Sequence, residues 1–401
     1  MRTTWTFHSA HQLVFGRDAV KQVGDIARRA GYSRALIVTD PILNRAGIVE
    51  RVREPLAASQ VATEVFSGGE PEPSFHAAEA CLEAARSFHP DVLIGLGGGS
   101  NMDLAKIAAA VLGNGGALRD YVGDGKIPRP IWPLICLPTT AGTGSEVSAA
   151  AVLTDTDNHI KVGILSNYLR PLAAIVDALL TISCPAKVTA DSGIDALTHA
   201  IEAYTAVDNA DFPLPAGERS VYQGKHAFGD MLAEKAIALV GQFLRRAVKD
   251  GHDLEAREGM ALAATLAGLA FSNVGVAAVH AMEYPVGGAV HCSHGCGNGL
   301  LLPWVMRFNL PARVREFGAI ARLLGEDTSG LTEQKAAERA VEAVDKLRAA
   351  IGIPGRLREL GVRQDQLHDF AERASAVKRV LRVNPIAVTV ADIEGIYQNA
   401  Y

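Results

Sequence analysis

The chain has 401 residues, of which 48% are hydrophobic and 21% charged, with a formal net charge of −5. That length and balance exclude a disordered or disulfide-stapled small protein and fit two globular domains. The negative charge gives no basic field for nucleic acid or an anionic membrane surface, so the expected partner is a small molecule. The five cysteines, Cys81, Cys136, Cys184, Cys292 and Cys296, are scattered and odd in number, which argues against a disulfide framework. The opening MRTTWTFHSAHQLVFG lacks a signal-peptide core, and no apolar run reaches roughly eighteen residues without polar interruption. A cytoplasmic chain with no membrane span is therefore expected.

The first half alternates strand-like and helix-like runs. RALIVTD (Arg34 to Asp40) reads as a short β-rich strand ending on an acid. DVLIGLGGGS (Asp91 to Ser100) reads as a buried strand entering glycines, followed by a helix over NMDLAKIAAAVLG. PLICLPTTAGTGSE repeats the pattern with a Gly/Thr loop, and LAAIVDALL supplies one more strand. Strand, glycine turn and helix in succession are the grammar of a parallel α/β sheet, whose ligands gather at the carboxyl ends of the strands.

Gly97, Gly98, Gly99 and Ser100 free backbone N–H groups for close approach to a pyrophosphate, and the positive end of the helix beginning near Asn101 faces the same charge. The loop lacks the GxGxxG spacing of the usual fingerprint, and a three-glycine turn also serves as a plain strand-to-helix connection. The second loop, with Thr139, Thr140, Gly142, Thr143 and Ser145, adds hydroxyls at the end of a neighbouring strand, and two such loops suit a dinucleotide. Asp40 can accept hydrogen bonds from a ribose diol and would repel a 2′-phosphate, favouring NAD over NADP. Followed by Pro41, it also suits a simple turn start.

From about Cys184 the strand signal fades. AEKAIALVGQFLRRAVKD, LEAREGMALAATLAGLAF, RVREFGAIARLLG, KAAERAVEAVDKLRAAIG and PIAVTVADIEGIYQNAY recur at helical period, so residues 185–401 form a helical domain after an α/β domain at 1–184. Asp208 to Asp230 is a polar, Pro/Gly-punctuated excursion, read as a surface loop or a lid.

Within the helical half, Asp195 and His199 in GIDALTHAIEAY are four apart, one turn on the same helix face. His280 lies in the apolar, helix-forming run GMALAATLAGLAFSNVGVAAVHAM, and His294 follows a Gly-rich bend. One carboxylate and three imidazoles make an O,N,N,N set for a divalent cation. Cys292 and Cys296 flank His294, but no second ligand pair follows at zinc-knuckle spacing.

In this order, GGGSNMDLAK, PTTAGTGSE, GIDALTHAIEAY, VHAMEYPVGG and SHGCGN resemble the iron-containing (group III) alcohol dehydrogenases over nearly the whole chain. The resemblance implies a fold like that of dehydroquinate synthase, with a Rossmann-like parallel sheet in the first domain and an all-α second domain. It implies Fe(2+) as the cation, held by Asp195, His199, His280 and His294, although the donor set would also hold Zn(2+). It implies phosphate contacts from Gly97, Gly98, Gly99, Ser100 and Asp103, nicotinamide-side contacts from Thr139, Thr140 and Thr143, and a cleft lysine at Lys161.

One departure stands out. Many members of that family carry a second histidine four residues after the third ligand, in HAxxH, and here the position is Tyr284. Its phenol, with a pKa of about 10, exchanges protons less readily at neutral pH than an imidazole. Tyr284 and VYQG in the excursion are also similar to the hydroxyacid-oxoacid transhydrogenase branch, for which Arg219 and Lys225 are cations available to a substrate carboxylate. The expected reaction is NAD-linked, metal-assisted hydride transfer with a small primary alcohol or aldehyde. The alternatives are transhydrogenation between a hydroxy acid and an oxo acid, and a lyase of the dehydroquinate synthase type. A homodimer is the expected assembly.

Overall fold

The computed structural model describes residues 2–156, 160–215 and 217–401. Two compact units are present, an α/β unit of His8–Cys184 with Arg219–Val221, and a helical unit of the remaining residues, which takes in the N-terminal segment through Phe7.

The α/β unit contains strands β1 (Gln12–Phe15), β2 (Arg34–Val38), β3 (Ala62–Phe66), β4 (Val92–Gly97), β5 (Gly123–Asp124), β6 (Leu134–Pro138), β7 (Ala150–Asp155), β8 (Ile160–Leu165) and β9 (Ala173–Val176). Its helices are α1 (Val23–Arg29), α2 (Pro41–Arg45), α3 (Ile48–Ala58), α4 (Phe75–Phe88) and α5 (Gly99–Asn114). Six strands form one sheet in the order β1-β9-β6-β4-β2-β3, with every pair parallel.

Both faces of this sheet are covered, which is why its central strands read as unbroken apolar runs rather than alternating ones. Ala35, Ile37, Ile94, Leu96, Ile135 and Leu137 pack with Val23, Val52 and Leu56 of α1 and α3. Leu36, Val38, Leu93, Leu134 and Cys136 pack on the other face with Cys81, Met102 and Leu104 of α4 and α5. At Gly95 a Cβ would stand 3.1 Å from the Met102 Cα, so this glycine lets α5 lie close on β4. Burial pushes the Cys81 and Cys136 thiols up to about 12, as inert core groups.

The strands expected over Arg34–Asp40, Asp91–Ser100, Pro133–Glu146 and Leu172–Leu180 are present as β2, β4, β6 and β9. The helix after β4 begins at Gly99, two residues before the expected Asn101, so Gly99 and Ser100 are its first residues rather than loop. Not anticipated was a second sheet, β5-β8-β7, in which β7 and β8 pair antiparallel. β7 alternates in burial, but its residues, AAVLTD, do not alternate in polarity, and β8 alternates in neither.

The helical unit contains α6 (Ala186–Thr205), α7 (Ala227–Lys249), α8 (Leu254–Val274), α9 (Ala278–Val290), α10 (His294–Asn309), α11 (Val314–Leu323), α12 (Glu333–Ala350), α13 (Leu367–Ser375), α14 (Lys378–Leu381) and α15 (Val390–Ala400). Helix α6 is buried on nearly all sides from Thr189 to Thr205, as a helix packed around its whole circumference must be.

The sequence does not continue from α8 to His280 as one helix. Gly275, at φ 126, ends α8, and α9 departs at 105°. Nor is there a glycine bend before His294: Gly287 and Gly288 lie near the end of α9, and the turn is made by His291 in the left-handed region. No single helix among the described residues is long and apolar enough to cross a membrane.

Candidate metal centre and dinucleotide loops

Helix α10 comes close to α6 because its facing residues are glycines. A Cβ at Gly295 would collide with the Asp191 carbonyl, and one at Gly299 would stand 2.7 Å from the Ile194 side chain. This approach puts His294, the first residue of α10, beside Asp195 in the middle of α6. His280 arrives from the first turn of α9.

Asp195, His280 and His294 each offer a ligand atom, and these atoms all lie within 4.8 Å of one another. His199, the fourth expected ligand, is not in that group. Its ring stacks on Phe271 at 4.2 Å and on His280 at 4.7 Å between centroids, and its Nδ1 lies 3.9 Å from Asp195 Oδ2.

Three residues that sequence reasoning missed hold the cluster. Glu202, on α6, accepts from the Ala277 and Val279 amides at 2.8 and 2.7 Å and pairs with His280 Nδ1 at 2.5 Å. It thus caps the N-terminus of α9 and orients an imidazole with one carboxylate. Glu283, on α9 and fully buried, pairs with His294 Nδ1 at 2.5 Å. Asn298, on α10, donates from Nδ2 to Asp195 Oδ1 at 2.8 Å.

The arrangement is cyclic: α6 secures the histidine of α9, α9 that of α10, and α10 the aspartate of α6. Each partner falls at helical spacing from a ligand on its own chain segment, Glu202 seven after Asp195, Glu283 three after His280 and Asn298 four after His294, and that periodicity was the available signal.

A carboxylate can only accept, so each Nδ1 donates, and in the neutral ring the Nε2 lone pair is left facing the centre. Asn298 Nδ2 lies 3.3 Å from His280 Nε2 and 3.1 Å from His294 Nε2 as well as against Asp195. Three acceptors therefore converge on an amide that has two protons. The buried Asn298 Oδ1 has no hydrogen-bond partner among the described residues. A donor set with more lone pairs than protons fits a divalent cation.

Burial opposes ionisation of Asp195, yet positive charge on the His199, His294 and His280 rings and the Asn298 amide draw its carboxyl below the usual range, a role a cation would take over from neutral rings. Asp195 is the one carboxylate in the converging group, and Glu202 and Glu283 stand one imidazole removed from it.

Tyr284 is half-buried, with its ring centroid 6.2 Å from that of His294. Burial pushes the Cys296 thiol up to about 11, and among the described residues the converging ligand group includes neither Cys292 nor Cys296.

In the α/β unit, Gly97 and Pro138 are register partners at the ends of β4 and β6, so the two expected loops lie side by side. The Thr139 amide donates to the Gly97 carbonyl at 2.9 Å. Gly97, at φ 145, has Asn101 against it where a Cβ would project, and a Cβ at Gly99 would stand 2.9 Å from Thr143 Cγ2. Thr140 Oγ1 is 3.5 Å from the corresponding point at Gly98, and Ser100 is half-buried in the first turn of α5.

Asp103 joins α5 to the chain beyond the second loop, accepting from Ser145 Oγ at 2.8 Å and from the Val152 amide at 2.9 Å. Lys106, fully buried and not singled out from the sequence, donates to Ser145 Oγ, Ser148 and the Ala150 carbonyl. Burial lowers its ammonium pKa, against the opposing charge of Asp103.

Asp40 is the N-cap of α2, with Oδ1 accepting from the Ile42 and Leu43 amides and Oδ2 accepting from Asn101 Nδ2 at 2.7 Å. It therefore does start a turn, and it does so beside the glycine loop. Lys161 is no lone cation, because its Nζ pairs with Glu72 at 2.7 Å. Lys225 likewise pairs with Asp230 at 2.7 Å and lies over the Tyr204 ring, which removes one of the two cations offered for a substrate carboxylate.

Residues 10–178 match the family model described as iron-containing alcohol dehydrogenase, and residues 216–401 match the C-terminal model of the Fe-containing alcohol dehydrogenase family. The chain belongs to the iron-containing alcohol dehydrogenase family. The NAD-dependent methanol dehydrogenase of Bacillus methanolicus is 37% identical over 387 residues, covering 96% of this chain and 97% of that protein. The crystal structure of a 1,3-propanediol oxidoreductase superposes with a TM-score of 0.93 at 36% identity, covering 99% of this chain and 100% of the other. The sulfoacetaldehyde reductase of Bifidobacterium kashiwanohense, solved in complex with NAD+, gives a TM-score of 0.85 at 31% identity, covering 100% of this chain and 99% of the other. The fold is that of the dehydroquinate synthase-like enzymes, and the chain is an oxidoreductase whose family cofactors are iron and NAD.

Proposed function

We propose that this dehydrogenase interconverts small primary alcohols and aldehydes by metal-dependent hydride transfer. The observation that carries the reading is the convergence of Asp195, His280 and His294, with both imidazoles turned by buried carboxylates so that Nε2 faces the centre. Relatives named for methanol, 1,3-propanediol and sulfoacetaldehyde favour a small substrate, although another, 38% identical, is named for long-chain alcohols.

In this reading Asp195, His280 and His294 hold the cation, and His199 joins them by a rotation of its ring. Iron, when bound, supplies a Lewis acid that polarises the substrate C–O bond. Gly97, Gly98, Gly99 and Ser100 would hold the dinucleotide diphosphate on backbone amides and the N-terminus of α5, and Thr139, Thr140 and Thr143 would serve the nicotinamide side. The substrate carbon gives hydride to nicotinamide C4 and its hydroxyl gives up a proton, so alcohol and NAD become aldehyde and NADH. That proton leaves to solvent water, and Tyr284, whose ring lies beside that of His294, supplies a hydroxyl that can donate to the substrate oxygen. Lys161, paired with Glu72, would bring a neutralised pair rather than a free charge to any contact with the dinucleotide.

The test is metal analysis of protein purified without chelator, followed by NADH formation with a panel of alcohols. His280→Ala should abolish turnover and leave NADH binding nearly unchanged; persisting activity would overturn the coordination. The transhydrogenase reading stands on Tyr284, and turnover between a hydroxy acid and an oxo acid without added NAD would establish it. Phosphate release without net NADH would instead point to the lyase.

A further inference from the structure

We infer that Glu283 is a positioning residue that tunes this chain's hold on a divalent cation, acting through His294. The inference rests on the cation-site reading above and extends it to a residue the ligand motif does not contain.

Four observations support it. Glu283 is fully buried, and a carboxylate at such depth needs compensation from its surroundings. Its Oε2 meets His294 Nδ1 at 2.5 Å, which fixes the tautomer and leaves Nε2 as the donor atom. Its carboxylate also packs over the first turn of α10, where a Cβ at Gly297 would stand 2.8 Å from Glu283 Cγ and 3.3 Å from Oε1. Glycine at 297 thus makes room for the acid. Lastly, His294 is the first residue of α10 and His280 the third of α9, so two helix N-termini point their positive ends toward the centre.

A helix N-terminus disfavours a cation. Glu202 answers that field at α9 by accepting from its first amides, and Glu283 lies against the corresponding turn of α10. Orientation and charge act in the same direction: the imidazole becomes a stronger donor, and the local field becomes one a cation can enter. Glu283 precedes Tyr284, the one departure from the HAxxH pattern, and both side chains lie against His294.

The experiment is titration of the full, chelator-stripped chain with Co(II), read by its d–d absorption and by competition with a chromophoric chelator. NADH affinity and the melting temperature of the metal-free chain are measured alongside. Glu283→Gln keeps an oxygen that can accept from His294 but removes the charge, and Glu283→Ala removes both. Co(II) affinity should fall about tenfold in Glu283→Gln and about a hundredfold in Glu283→Ala, with NADH affinity unchanged. If Glu283→Ala fails to fold, the tenfold loss in Glu283→Gln alone carries the inference. Affinity in Glu283→Gln within about threefold of the unaltered chain overturns it, whatever Glu283→Ala does, because Glu283 is then only a packing group. Failure of the unaltered chain to bind Co(II) overturns the cation-site reading itself, a separate result.

Discussion

The loops of the α/β unit and the cluster of the helical unit are built by opposite means. At Gly97 to Gly99 the architecture works by omission: side chains are absent where Asn101 and Thr143 press in, and the backbone amides are left accessible. Around Asp195 it works by addition, with each ligand given a second residue from another helix to hold it, Glu202, Glu283 or Asn298. A site made of backbone tolerates most side-chain changes nearby and fails where a Cβ appears. A site made of buried charges fails when any partner is lost, because the remaining group is left uncompensated.

The largest effect that would break this contrast is expected where the cluster itself depends on an omission. Gly295→Val places side-chain atoms into the Asp191 carbonyl, so α10 must retreat from α6 and carry His294 away from Asp195. Overpacking of this kind costs about 3 kcal/mol. Cation affinity should fall by about a hundredfold, read by Co(II) titration, with NADH binding unchanged. Retained affinity would mean that the close contact of the two helices does not set the ligand geometry.

A smaller and opposite result is expected from Gly97→Ala. The residue is at φ 145 with Asn101 beside it, a conformation that costs about 1–3 kcal/mol for a residue with a Cβ. NADH affinity, measured by fluorescence titration, should fall about tenfold, equivalent to about 1.4 kcal/mol, while the metal content stays at the unaltered value. Loss of metal in this variant would refute the separation of the two constructions.

The same contrast explains what could be read from the amino-acid order. Omission leaves a local mark: three glycines after an apolar run announce a strand-to-helix turn, and β4, β6 and the loops after them stand where that pattern puts them. The ligand residues are also marked locally, by the four-residue spacing of Asp195 and His199. Their partners are not, because Glu202 with His280 and Glu283 with His294 are contacts between helices whose crossing depends on Gly275, Gly295 and Gly299. β7 did not stand out because its alternating burial is not matched by alternating polarity in AAVLTD. The spacing of Asp195 and His199 does not mark them as core; the packing of α6 on all sides does.

Asp40 is where the two modes of construction meet, and it offers the finest test. It is a side chain at the backbone-built site, with one oxygen capping α2 and the other on Asn101. Asparagine caps a helix about as well as aspartate, whereas alanine gives up about 1 kcal/mol. Asp40→Ala should therefore lower the unfolding free energy by about that amount in urea melts, and Asp40→Asn by only a few tenths. Preference for NAD over NADP separates the remaining role. A carboxylate that repels a 2′-phosphate loses that repulsion in both variants, so both should narrow the preference, including Asp40→Asn, whose stability is nearly intact. If Asp40→Asn keeps the full preference, the acid is there for the helix alone, and discrimination between the two dinucleotides belongs to other groups around the loop.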